Sequence, residues 1–141
     1  MPMDERELDE CLEMLHRAIR RVITAPQSIL AQRRLGRAHH RALFTIRREP
    51  GIAVGDLAAR TAITKQALHK TVRDLIRRGL VRSTVNPRNR RSRQLSLTRT
   101  GYGFEERLSG VQRGLFAAAR RKVGPRKMRQ WSEVARALAE A

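Results

Sequence analysis

The sequence predicts a mainly α-helical fold carrying a small β hairpin, the wing, and three observations support that prediction. Apolar residues recur at three- and four-residue steps along most of the chain. Two short segments, Leu80 to Val85 and Arg93 to Thr98, instead alternate apolar with polar side chains. Between them lies Asn86-Pro87-Arg88-Asn89-Arg90-Arg91-Ser92, a turn-forming stretch loaded with arginine.

In chain order, the first helix spans about Asp4 to Thr24. It lines up Leu8, Cys11, Leu12, Leu15, Ile19, Val22 and Ile23 on one stripe. Acids fill its opening turns, where the helix dipole favours them. Pro26 ends it, Gln27 to Leu35 form a second helix, and Gly36 breaks that from the next. A third helix, Arg37 to Glu49, presents Ala38, Ala42, Leu43 and Ile46 on one side and stops at Pro50-Gly51. Ile52 to Val54 suit a very short strand, and Gly55 to Arg60 a small helix with Leu57 and Ala58 inward.

After the turn Thr61-Ala62-Ile63, Thr64 is a good N-cap for a helix reaching about Arg78, with Gly79 at its C-terminal end. Its buried stripe is Leu68, Val72, Leu75 and Ile76. Past the hairpin, Thr98 caps a long helix to about Lys122. Gly101, Gly103, Gly110 and Gly114 weaken it, by up to about 1 kcal/mol each relative to alanine. Gly124-Pro125 precedes a last helix with Met128, Trp131, Val134, Ala135 and Leu138 on its stripe, where Trp131 has a packing role.

Charge narrows the function. The chain of 141 residues holds 31 Lys and Arg against 13 Asp and Glu, a net of +18. Such an excess is the footprint of nucleic acid, because cationic side chains release counterions condensed on phosphates. Six of the acids lie between Asp4 and Glu13, whereas Thr64 to Arg93 holds ten Lys and Arg and one acid, Asp74. The positive charge is therefore localised. Hydrophobic residues make up 40% and aromatics 4%, so the core must be built from Leu, Ile, Val and Ala.

Other classes find no footing. One cysteine allows neither an intrachain disulfide nor a cysteine cluster. No apolar run approaches the roughly 20 residues of a membrane span, and the acidic start lacks a signal-peptide core, so a soluble cytoplasmic protein is expected. There is no nucleophile elbow, phosphate loop or carboxylate cluster, and an enzyme is not expected. His16, His39, His40 and His69 make no metal spacing, and no metal or cofactor is expected.

A small helix, a tight turn and a second helix with a polar outer face make a helix-turn-helix. The second helix must be held by its inner stripe while its outer face enters the major groove. Lys65, Gln66, His69, Lys70 and Arg73 share that outer face, and Thr64 opens the helix towards a phosphate. Gln66 can pair bidentately with adenine, and Lys or Arg with guanine. In the hairpin, Arg88, Arg90, Arg91 and Arg93 repel one another unless phosphates or a narrow minor groove neutralise them. Double-stranded DNA is the expected partner. The alternative is an architectural or non-specific DNA-binding protein built on the same scaffold.

The stretch HHRALFTIRREPGIAVGDLAARTAITKQALHKTVRDLIRRGLV followed by NPRNRRSRQLSLTRTG resembles the multiple-antibiotic-resistance-type (MarR) transcriptional regulators. The resemblance covers roughly Leu35 to Gly101. It rests on Pro50-Gly51, Leu57-Ala58, Gly79-Leu80-Val81 and Leu97-Thr98 with Gly101. It implies a winged helix-turn-helix over 37–98, flanked by dimerisation helices at 1–36 and 99–141 that interlock two copies. It also implies a palindromic operator, usually repressed, and often a small phenolic or similar effector. His39 and His40 would lie near the effector crevice. Family wings commonly carry Asp-Arg-Arg at the tip; here the residues are Asn89-Arg90-Arg91, so either the amide holds the turn or the wing is looser. One branch of the family senses peroxide through a first-helix cysteine. Cys11 instead falls on an apolar stripe among acids, with only Tyr102 available as a tyrosine partner, and is expected to be a small buried residue.

Overall fold

Asp4 opens the first helix through a reciprocal cap: its carboxylate accepts from the Glu7 amide, and the Glu7 carboxylate accepts from the Asp4 amide, both at 2.8 Å. From there α1 runs over Glu5–Thr24 in the computed structural model, which describes residues 1–141. The short α2 (Gln27–Gln32) ends three residues earlier than the sequence pattern implies. Arg34 takes a left-handed conformation at φ 54°, which lets the Leu35 amide donate back to the Leu30 carbonyl at 2.9 Å. This turn buries Leu35 beside Leu30.

Next come α3 (Arg37–Arg48), β1 (Ile52–Ala53), α4 (Val54–Thr61) and α5 (Lys65–Arg77). The chain then makes a hairpin of β2 (Val81–Asn86) and β3 (Asn89–Leu97), and closes with α6 (Arg99–Val123) and α7 (Pro125–Glu140). The three strands form one antiparallel sheet in the order β1-β3-β2. β2 and β3 pair from Val81 opposite Leu97 to Val85 opposite Arg93, with an irregularity before Asn86 opposite Asn89. The hairpin therefore turns on Pro87-Arg88, and the arginine stretch expected as a loop is mostly strand.

The core lies between α3, α4, α5 and the sheet, with α6 closing one side. Leu43, Ile46, Leu57, Leu68, Leu75, Leu95 and Leu108 are wholly buried, and Phe104 is the one aromatic among them. The α5 stripe behaves as expected at Leu68, Val72 and Leu75, whereas Ile76 stays 38% exposed. Gly101 is required: a Cβ there would sit 1.8 Å from the Leu80 carbonyl oxygen. No such contact arises at Gly103 or Gly114.

Neither α1 nor α7 contains a single buried residue. Leu8, Leu12, Trp131, Val134 and Leu138 are each about half exposed or more, although Trp131 leans on Phe116 with ring centroids 5.5 Å apart. Cys11, expected to be buried, is exposed, because the stripe it shares has no cover from its own chain. No helix is long and apolar enough to cross a membrane.

Candidate nucleic-acid interface

Two left-handed or capped positions set the angle of α5. Ala62, at φ 55°, swings the chain between α4 and α5. The Thr64 hydroxyl then accepts from the Ala67 amide at 3.3 Å and starts α5. With Leu68, Val72 and Leu75 turned into the core, Thr64, Lys65, Gln66, His69, Lys70 and Arg73 all face outward. None of the five longer side chains is spent on an ion pair.

The hairpin brings its cations to the same side. Lys65 and His69 of α5 and Asn89, Arg91, Ser92 and Arg93 of β3 line one cleft of about 350 Å³, floored by Ala53, Val54 and Gly55 at the start of α4. No acid lines it. Arg93 is fixed across the hairpin, its Nε donating to Ser83 Oγ at 2.9 Å and its terminal nitrogen to the Ser83 carbonyl at 3.1 Å. Arg88 and Arg90 lie outside the cleft near the tip, and Gln66, Lys70 and Arg73 on the open face of α5. Cleft and flanks together form a cationic surface able to seat a phosphate between α5 and the hairpin.

Asp74, the one acid of this stretch, is what the sequence reading passed over. It turns inward and binds His39 Nε2 at 2.9 Å, Arg77 at 2.5 Å and Arg78 Nε at 3.1 Å. Burial opposes its ionisation, yet hydrogen bonds from Arg78 and Arg77 hold its pKa below the usual carboxylate value. Arg78 also donates to the Arg33 carbonyl at 2.5 Å, so α5 is tied to the end of α2 and to α3. His39 completes the tie: its Nδ1 accepts from the Gly36 amide at 3.0 Å, which puts the ring proton on Nε2, facing Asp74.

His39 and His40 diverge. His40, not His39, lines a crevice of about 650 Å³ between α1, α3, α6 and the turn before α5. Arg37, Arg41, His40 and Gln112 supply its polar groups, and Ile23, Leu30, Phe44 and Ile63 its apolar wall. Behind it runs a buried chain. His40 Nε2 meets Ser109 Oγ at 3.1 Å, Ser109 donates to Glu105, and Glu105 accepts from Arg47 at 2.5 Å. Glu105 is fully buried, and Arg47 also reaches Glu106 and the Tyr102 hydroxyl. Burial lowers the His40 pKa, with Arg41 adding to the effect and Glu105 opposing it.

Residues 35–92 match a family model described as the MarR family. The helix-turn-helix transcriptional regulator PetP of Rhodobacter capsulatus is 39% identical over 136 residues, covering 96% of this chain and 82% of the relative. The chain belongs to the MarR family. It is thus a DNA-binding, winged helix-turn-helix transcriptional regulator. Solved structures of similar fold include the transcriptional repressor CouR bound to a 23-mer DNA duplex, at TM-score 0.73 and 23% identity over 99% of both chains. Another is Bordetella bronchiseptica BpsR, whose DNA binding is regulated by 6-hydroxynicotinic acid. It matches at TM-score 0.69 and 19% identity, over 92% of this chain and 98% of BpsR.

Family membership gives the wing tip its meaning. Where family wings commonly carry an aspartate, the Asn89 side chain accepts from the Arg91 amide at 3.2 Å, and Asn86 accepts from the Arg88 amide at 3.0 Å. Two amide side chains therefore hold the turn without lowering its positive charge.

Proposed function

We propose that this MarR-family regulator acts as a homodimer that reads a palindromic operator, represses from it, and is released by a small ligand in the crevice beside α3. The convergence of Lys65, His69, Arg91 and Arg93 on one acid-free cleft carries the reading. That cleft lets α5 enter a major groove while the wing grips the adjoining backbone. Direct base contacts then fall to Lys65, Gln66, His69, Lys70 and Arg73, and phosphate or minor-groove contacts to Thr64, Arg88, Arg90, Arg91 and Arg93. The binding of CouR, of similar fold, to a 23-mer DNA duplex supports duplex DNA as the partner.

The dimer is assigned to residues 1–36 and 99–141, whose apolar stripes on α1 and α7 stay open in the protomer. The crevice suits a small aromatic acid, because Arg37 and Arg41 meet an anion while Phe44 and Ile63 meet a ring. The effect of 6-hydroxynicotinic acid on BpsR supports that choice. The protein carries out no reaction in this reading and works in the cytoplasm.

A competition titration against its own upstream DNA and random duplex, at two salt concentrations, tests the proposal. A preference of about a thousandfold or more is expected. Gln66→Ala should erase discrimination between sites, while Arg90→Ala should weaken all binding and lower the salt slope by about one. Equal, steeply salt-dependent binding to both duplexes would favour an architectural protein instead.

A further inference from the structure

The charge of this chain is divided in a way that DNA binding does not use. Asp4 to Glu13 holds six acids and one base, Arg6, on a chain that is otherwise strongly positive. Apart from the Asp4–Glu7 cap, none of these acids finds a partner, and none is in an ion pair. At the α6–α7 corner, Arg120, Arg121, Lys122, Arg126, Lys127 and Arg129 lie within ten residues, with no acid among them. All are exposed and equally unpaired. This corner closes the far end of α6, 25 residues or about 37 Å from the wing, and so lies away from the recognition helix.

Each charged segment adjoins an uncovered apolar stripe. Leu8 and Leu12 accompany the acids, 56% and 52% exposed, and Val123 and Trp131 accompany the bases, 46% and 49% exposed. The α1 helix is fastened to α6 near its other end, where Gln112 Nε2 donates to the Val22 carbonyl at 3.0 Å. Its acidic half extends from about 13 to 27 Å beyond that point.

We propose that the acidic half of α1 docks on the basic α6–α7 corner of a second copy of this chain, forming a reciprocal electrostatic clasp. The inference rests on the homodimer reading above and adds to it a register and a partner choice set by charge. Two-fold symmetry makes the contact twice, with each copy giving one acidic and one basic surface. Acids repelled by DNA and bases remote from α5 are thereby both satisfied. A single exposed ion pair contributes little, but a network of several beside buried apolar surface sets orientation and rejects unmatched partners. The dimer itself then becomes salt-sensitive.

Two charge-reversed chains test the clasp. One carries Asp9→Lys, Glu10→Lys and Glu13→Lys; the other carries Arg126→Glu, Lys127→Glu and Arg129→Glu, which places acids at a helix start where the dipole favours them. Circular dichroism checks that both remain helical, and sedimentation reads association. Each variant alone should dimerise at least ~30-fold more weakly than the unaltered chain, and mixing the two should restore dimers of one copy each. Variants that dimerise as tightly as the unaltered chain would overturn the clasp while leaving the homodimer standing. So would a mixture that fails to pair, and so would a corner variant that stays dimeric but loses DNA affinity. An unaltered chain that is monomeric would overturn both readings.

Discussion

Gly101→Ala and Gly103→Ala, two residues apart on α6, should move stability in opposite directions. Gly101 sits where the end of the hairpin is bolted to the helix. The Thr98 amide donates to the Leu80 carbonyl at 3.1 Å, and the Thr98 hydroxyl donates to the Gly79 carbonyl at 2.6 Å. An added Cβ at residue 101 would lie 1.8 Å from the Leu80 oxygen and 2.7 Å from its carbon. Bringing the first distance to 3.0 Å requires the helix start to retreat by about 1.2 Å. The obstruction is backbone, so no rotamer change relieves it. Overpacking a closed site costs about 1–3 kcal/mol, and the upper end applies here. Loss of the Thr98–Leu80 hydrogen bond adds about 1 kcal/mol. The better helix propensity of alanine returns about 1 kcal/mol. Gly101→Ala should therefore destabilise by about 3 kcal/mol, whereas Gly103→Ala, with nothing within 4 Å, should stabilise by about 0.5–1 kcal/mol. Urea denaturation at one fixed protein concentration measures both. Equal midpoints, or a Gly101→Ala protein as stable as the unaltered one, would refute the close-approach account.

Two further outcomes follow from the buried polar contacts. His40 has a lowered pKa when folded and an ordinary value of 6.5 when unfolded, so only the unfolded chain takes up a proton as the pH first drops below 6.5. Stability should be full above 6.5 and fall from there towards the lowered folded value; His40→Gln should flatten that slope in thermal melts across pH 5–7.5, and an unchanged slope would contradict the assignment. Asp74→Asn should destabilise by about 1–3 kcal/mol through loss of its bonds to Arg77, Arg78 and His39. Combining it with His39→Ala should cost less than the sum of the two changes by about 0.5 kcal/mol or more, and strict additivity would deny the contact.

The helices were legible because each uses a local device. Thr64 and Thr98 cap their helices as residue type alone implies, and the α3 and α5 stripes point inward at helical spacing. The wing was legible as a hairpin but not in extent. Asn86-Pro87-Arg88-Asn89 reads as turn chemistry, yet the asparagine side chains satisfy the turn in two residues and free Arg90 to Arg93 for the strand. Cys11 and Ile76 were misplaced for one reason: a helical stripe states which side is apolar, not whether this chain covers it. The outward placement of the candidate interface's cations was legible, since they lie on one helix and one hairpin. Asp74–His39 and the chain from His40 to Arg47 through α6 were not, because their partners are 35 to 69 residues apart.

Two neighbouring histidines on α3 face different elements, and this constrains how the helix can move. His39 holds α5 through Asp74, and His40 holds α6 through Ser109 and Glu105. Successive side chains on a helix project about 100° apart, so no rolling of α3 about its own axis preserves both grips. The helix behaves as a keyed shaft. Any roll of α3 must break the His39–Asp74 bond, the His40–Ser109 bond, or both.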